Sequence, residues 1–175
     1  QRILKAREEA DSVGGVTETV ICGTPAGVGE PWFDSVESVI SHAAFSLGGV
    51  KGIEFGAGFA VADMKGSECN DPLRVSGGRI VTTTNNNGGI NGGITNGMPI
   101  VFRCAVKPTP SIAQQQDTVD FIKNENTQLS IHGRHDPAII RRICPVLDSV
   151  AALCVADMLS LRYGTDVLTK GVDDK

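Results

Sequence analysis

Asp34-Ser35-Val36-Glu37-Ser38-Val39-Ile40-Ser41-His42-Ala43-Ala44-Phe45-Ser46-Leu47-Gly48-Gly49-Val50-Lys51-Gly52-Ile53-Glu54-Phe55 joins a helix pattern directly to a strand pattern. Val36, Val39, Ile40, Ala43, Ala44 and Leu47 recur at three-to-four spacing, which places them on one helical face. Asp34 is positioned to cap that helix, and Gly48-Gly49 supplies its C-terminal stop. Val50 to Phe55 then reads as a short strand. A helix feeding a strand through two glycines, inside a chain of mostly hairpin-length links, points to an α+β layer.

Upstream, Gly14-Gly15 opens a period-two, β-branched run through Val16, Thr17, Thr19, Val20 and Cys22, which predicts a strand. Gly23-Thr24-Pro25-Ala26-Gly27-Val28-Gly29-Glu30-Pro31 forbids regular structure. Downstream, Phe59 to Met64 reads as a further strand, joined to Val50–Phe55 by a hairpin at Gly56-Ala57-Gly58. Asn85 to Gly97 holds too little apolar material to bury and is expected to be a loop. Met98 to Val106 is an apolar strand that stops at Lys107-Pro108-Thr109-Pro110-Ser111, because proline cannot donate to a ladder. Only short extended pieces are expected at Val119 to Ile122 and at Leu129 to His132. After Gly133-Arg134-His135-Asp136-Pro137 a helix begins, pauses at Pro145 and runs on through Val146, Leu147, Val150, Leu153, Cys154 and Leu161. The tail from Gly164 reads as frayed.

The 175 residues suit one lobe with one core. A net charge of -4 gives no electrostatic case for nucleic acid, so any anion must be met by local groups such as Arg103, Lys107 and Arg134. Val146 to Leu161 is interrupted by Asp148, Ser149, Asp157 and Ser160, and no membrane span is expected. The start Gln1-Arg2-Ile3-Leu4-Lys5-Ala6-Arg7 carries neither a secretory run nor an initiating Met, which suggests that something upstream has been removed. Five scattered cysteines without a C-x-x-C pair read as reduced thiols of a cytosolic protein, with Cys144 and Cys154 as small buried hydrophobes. No zinc spacing, serine triad order or carboxylate pair is visible; Asp11, Glu30, Asp34 and Asp71 are too scattered to assign, and His42 reads as a surface or packing residue.

Three segments could carry chemistry. The Asn/Gly run can bring backbone N–H groups close to a phosphate or a flavin edge, or it is a plain structural loop. Lys107 to Ser111 sets a cation and two hydroxyls on a stiff strand end, or it merely terminates an edge strand. Arg134 can fork onto a phosphate or carboxylate, His135 can titrate near neutrality, and Asp136 is either a site carboxylate or a helix cap.

In their order these segments resemble the chorismate synthase family. The similar pieces are Asp11-Ser12-Val13-Gly14-Gly15, Gly27-Val28-Gly29-Glu30-Pro31, Val50-Lys51-Gly52-Ile53-Glu54-Phe55-Gly56 and Gly66-Ser67-Glu68 with Asn70-Asp71. They continue through Asn85-Asn86, Gly88-Gly89-Ile90, Gly92-Gly93-Ile94, Asn96-Gly97, Lys107-Pro108-Thr109 and Gly133-Arg134-His135-Asp136-Pro137. Ala10, Cys69 and Asn87 depart from the usual residues and suggest a divergent branch.

The resemblance implies an α+β fold, an antiparallel sheet packed against long helices, as one lobe of the family's β-α-β sandwich. It implies anti-1,4 elimination of phosphate from 5-enolpyruvylshikimate 3-phosphate to chorismate, with reduced FMN required and NADPH as one source of flavin reduction. Flavin contacts would fall on Gly48, Gly49, Gly92, Lys107, Pro108, Thr109, Pro110, Ser111 and Arg134, and Asp136 would handle a proton as the C6 hydrogen leaves. A cytoplasmic homotetramer is implied for the intact family. The family's N-terminal Gly-Glu-Ser-His-Gly-type motif, its second histidine and its Arg-Ser-Ser flavin loop do not occur in these residues. The chain therefore reads as the C-terminal part of such an enzyme, inactive or nearly so alone, with a structural or flavin-phosphate-binding module as the alternative.

Overall fold

The structure, a computed structural model, describes residues 1–133 and 135–171. In chain order the helices are α1 (Arg2–Glu8), α2 (Val36–Phe45), α3 (Gly66–Cys69), α4 (Ile140–Tyr163) and α5 (Val167–Lys170). The strands are β1 (Gly15–Ile21), β2 (Val50–Phe55), β3 (Leu73–Ser76), β4 (Arg79–Thr82), β5 (Ile90–Asn91), β6 (Ile94–Thr95), β7 (Ile100–Val106), β8 (Gln116–Asp120) and β9 (Glu125–Leu129). The result is the expected α+β arrangement, an antiparallel sheet under two long helices.

β7 is the centre of that sheet, in the order β1-β7-β2, with both neighbours antiparallel. Its alternate residues Ile100, Phe102, Cys104 and Val106 are buried, as period two requires of a strand with one covered face. α2 adds Val36, Ile40 and Ala44, and α4 adds Ile143, Leu147, Ala151, Cys154, Val155 and Met158 to the same core. In β1 the covered face is the threonine face. Thr17 and Thr19 are buried while Val16 and Val20 stand 64% and 51% exposed. The hydroxyls make this tolerable: Thr17 Oγ1 donates to the Cys104 carbonyl and Thr19 Oγ1 to the Asp148 carboxylate of α4 at 3.2 Å. The uncovered face carries the Arg103–Glu54 ion pair at 3.0 Å, with Glu18 beside it in register.

Several local expectations change. Asp34 does not cap α2; it ends a 3-10 turn over Trp32–Asp34, so the cap passes to Ser35, whose hydroxyl accepts from the Ser38 N–H at 3.1 Å. Residues Gly58–Asp63 form a 3-10 helix and no hairpin follows β2. α4 does not pause at Pro145. The missing N–H there leaves only the Arg141 carbonyl without its helical donor, one turn from the helix start on an exposed residue where water can reach it. α4 is also long and apolar enough, by length and composition alone, to cross a membrane despite Asp148 and Asp157. Its buried face packs against the sheet and α2, which makes it this lobe's core helix.

All five cysteines are free thiols. Cys104 and Cys154 are buried, and burial pushes the Cys104 thiol up to about 11 despite the Thr17 hydroxyl, so it serves as a small hydrophobe. Cys144 is exposed, contrary to its expected burial, at the rim of the buried stripe of α4 and one turn from the helix start. The tail from Gly164 contains the one-turn α5, while residues 172–175 fall outside the described part.

Candidate functional site

A strap formed by residues 10–14 ties together two of the segments singled out from sequence. Ser12 Oγ donates to the Thr109 carbonyl at 2.6 Å, and the Val13 N–H donates to the Pro137 carbonyl at 2.8 Å. The Ala113 N–H returns a bond to the Ala10 carbonyl, and the Lys107 N–H donates to the Gly49 carbonyl at 2.8 Å. Gly14 allows this closeness, since a Cβ there would lie 2.2 Å from the Val106 carbonyl oxygen. Thus the end of β7, the Gly48-Gly49 turn and the Asp136-Pro137 corner are held side by side. A Cβ on Gly49 would stand 3.0 Å from Ile139, at the foot of α4.

Beside the strap opens a cavity of about 790 Å³ whose wall includes Arg7, Asp11, His135, Asp136, Pro137 and Arg142. Asp136 uses both carboxylate oxygens: Oδ1 accepts from the Ala138 N–H at 3.1 Å, and Oδ2 lies 3.0 Å from Arg142 Nε. It is not the N-cap of α4, a place taken by Ile139, but it caps the turn before it. His135 turns its Nε2 to the Ile131 carbonyl at 2.8 Å, a backbone tie. The Lys107 side chain is exposed and forms no ion pair among the described residues. Thr109 Oγ1 is buried and finds no hydrogen-bond partner among them. Arg134, the predicted fork donor, lies outside the described residues.

Gly92 is elsewhere. With Gly93 it forms the two-residue turn between β5 and β6, both at positive φ, and Gly93 packs against Ser35 at the start of α2. Gly49 follows the far end of that helix, about 15 Å away for a ten-residue helix at 1.5 Å rise per residue. The Gly92 turn therefore does not join the corner formed by Gly49, Lys107–Ser111 and Asp136 within one chain. The tip itself is open, with no atom near a would-be Cβ on Gly92.

The rest of the Asn/Gly run is spoken for internally. Asp71 accepts from Thr84 Oγ1 at 2.7 Å, the Asn86 N–H at 2.7 Å, the Asn87 N–H at 3.0 Å and Asn87 Nδ2 at 2.9 Å. Asn85 accepts from the Gly89 N–H at 2.7 Å, and its own amide donates to the Pro99 carbonyl. These amides are not free to cradle an anion, so the expected anion role of residues 85–90 gives way to a scaffold built on Asp71. In the sequence Asp71 is one of several carboxylates too scattered to assign, and the partners that define its role lie 13 to 16 residues away. Arg7, Ser12 and Arg142 were missed as well. Ser12 carries no chemical signal of its own, whereas Arg142 stands in the first turn of a helix, where a cation opposes the dipole.

Burial raises the Asp71 pKa, but the bonds from Asn87, Thr84 and Asn86 together outweigh it and hold the group below its ordinary 3.8. A carboxyl depressed by folding stabilises the fold above its unfolded value, and that contribution is lost as pH falls through the folded one. Asp71→Asn is therefore expected to unfold at lower urea than the parent at pH 7, with the two midpoints converging as pH drops below about 4. A gap of equal size at pH 7 and pH 3 would contradict this assignment.

The class defined by these features is an α+β lobe with one face of an antiparallel sheet under two helices and an ionic corner at the end of the central strand. A solved structure described as a crystal structure of chorismate synthase has the same fold, with TM-score 0.75 and 31% identity, covering 94% of this chain and 42% of that one. A family model described as chorismate synthase matches residues 1–160. The chorismate synthases of Methanosarcina acetivorans and Chitinophaga pinensis are 50% and 54% identical over 94% and 91% of this chain. The chain belongs to the chorismate synthase family. It spans about half the length of the curated relatives it matches, 45% and 48% for these two.

Proposed function

We propose that the chain supplies the C-terminal share of a chorismate synthase site, eliminating phosphate from 5-enolpyruvylshikimate 3-phosphate in the anti-1,4 sense with reduced FMN bound. The observation that carries the reading is the shared corner: the residue 10–14 strap bonds to Thr109 and Pro137, the Lys107 N–H bonds to Gly49, and Asp136 lines the open cavity beside the strap. The donor set suits a phosphorylated flavin. Among the described residues, Lys107 provides an ammonium without an ion-pair partner, Thr109 a hydroxyl without a hydrogen-bond partner and Ser111 a second hydroxyl on a proline-stiffened segment. In this reading Gly48, Gly49, Pro108 and Pro110 shape the backbone against the flavin, and Arg134 adds a second cation. Gly92 is held to the reading through the family resemblance alone.

When bound, reduced flavin lends an electron transiently and recovers it, so that the overall reaction is redox-neutral. This chain's part is to bind the flavin phosphate through Lys107, to exclude water at the strap, and to accept the departing C6 proton at Asp136. A homotetramer in the cytoplasm, with NADPH as one source of flavin reduction, completes the proposal.

Two measurements on the longest native chain containing these residues test it: formation of chorismate, and a flavin titration. Lys107→Ala is expected to weaken FMN binding by roughly 10- to 150-fold, the equivalent of the 1.5–3 kcal/mol usual for a charge-assisted bond, and to leave riboflavin, which lacks the phosphate, nearly unaffected. Equal weakening of both would remove Lys107 from the phosphate. The half-length match favours a second reading for the 175 residues alone, a flavin-phosphate-binding module without turnover. Chorismate production by this chain by itself would overturn that second reading.

A further inference from the structure

We infer that Arg142 is a positioning residue: its Nε holds Asp136 toward the cavity, and its terminal nitrogens present a fork to an anionic group of the bound ligand. The inference rests on the chorismate synthase reading for the identity of that ligand, but not for the geometry.

Arg142 Nε lies 3.0 Å from Asp136 Oδ2, while Asp136 Oδ1 is fixed by the Ala138 N–H. The carboxylate is thus pinned at both ends, one by backbone and one by a side chain from α4. Only Nε is engaged; the two terminal nitrogens have no partner among the described residues, and Arg142 lines the same cavity as Asp136. A guanidinium can bind one carboxylate through Nε and still offer a planar pair of donors to a phosphate or a second carboxylate.

Helix stability does not account for the residue. Arg141 and Arg142 occupy the first turn of α4, which holds no acidic side chain. Cations there oppose the helix dipole, whose positive end favours Asp or Glu. The pair contributes little as a salt bridge either, since the Arg142 side chain is 81% exposed and such pairs are weak in water. An arginine placed against the dipole, in a weak exposed pair, on the wall of the cavity that holds the site carboxylate, is explained by what enters the cavity. Among the described residues, the other charged groups in that wall are Arg7 from α1 and Asp11 from the strap. Arg7 gives the anion a second cation to approach, while Asp11 is turned to the Ser12 N–H at 2.7 Å.

Arg142→Ala and Arg142→Lys, in the longest native chain and with reduced FMN, separate the two roles. For the alanine variant, kcat is expected to fall at least 10-fold and KM for 5-enolpyruvylshikimate 3-phosphate to rise several-fold, with an unchanged thermal midpoint. Lysine is expected to recover much of KM but little of kcat, because one ammonium cannot hold Asp136 and the ligand together. Adding Arg142→Ala to Asp136→Asn is expected to lower kcat no further, as a residue acting through Asp136 requires. A purely structural role would move the midpoint and leave KM alone. Calorimetric titration with inorganic phosphate reads the fork without turnover, and several-fold weaker binding by Arg142→Ala is expected. Unchanged phosphate affinity together with unchanged KM would overturn the inference. Weakened phosphate binding in a parent that makes no chorismate would overturn only the chorismate synthase reading.

Discussion

Truncation of Phe102 to alanine is expected to lower the unfolding free energy by about 3–5 kcal/mol, the range for deleting a buried aromatic side chain. Phe102 is 1% exposed, sits on the covered face of the central strand and has its ring centroid 5.8 Å from that of Phe55 on β2. It is flanked in register by Thr19 on β1 and Phe55 on β2, so the void would open where both ladders and both core helices meet. The site depends on the same strand, since Lys107–Ser111 continues it. Phe102→Leu keeps most of the volume and should cost less than half as much. Urea unfolding at neutral pH measures both. An alanine variant within 1 kcal/mol of the parent would show that the sheet's centre is not where the stability lies.

The same strand shows what could be read from the chain and what could not. Residues 98–106 read as an apolar strand, 16–22 alternate with period two and 36–47 carry period 3.6, and each became the expected element with its ends moved by a few residues. Periodicity encodes the covered face of an element, so it survives without knowledge of partners. It does not encode which strand supplies the partner. Phe59 to Met64 looks extended in isolation, but Gly56 and Gly58 are at positive φ, and the Ala57 N–H is claimed by the Asn86 carbonyl. The Phe59 N–H is taken by the Glu54 carboxylate at 3.0 Å instead of by a ladder carbonyl.

The hairpin β3–β4 was legible and was missed. Gly77-Gly78, both at positive φ, joins Leu73–Ser76 to Arg79–Thr82 in the two-residue form that such a dipeptide predicts. The polar strands β8 and β9 gave no alternation to read, so their expected bounds were displaced along the chain. At the site, the motif Gly133 to Pro137 was visible as a cluster of chemistry, but its division of labour was not. His135 went to a backbone carbonyl and Asp136 to Arg142, an assignment made by the direction of each side chain at a loop. The grouping of Asp71 with Thr84, Asn86 and Asn87 is set by tertiary approach across more than a dozen residues, for which a single sequence carries no periodic signal.

Asp136→Asn is expected to abolish most turnover while leaving the fold intact. The amide has the same shape, and its oxygen can still accept from the Ala138 N–H, so the turn before α4 persists. What is lost is the negative charge facing Arg142, an exposed pair worth at most about 1 kcal/mol of stability. If Asp136 accepts the proton released in the elimination, the amide cannot do so, and kcat should fall by roughly 10²–10⁴, the usual contribution of a positioned base. On the proposed reading FMN affinity should change little, because Lys107 and Arg134, the cations proposed for the flavin phosphate, remain. A variant that keeps more than a tenth of parental kcat would move the proton to another group. A variant that instead loses FMN would make Asp136 a flavin-binding residue rather than a base.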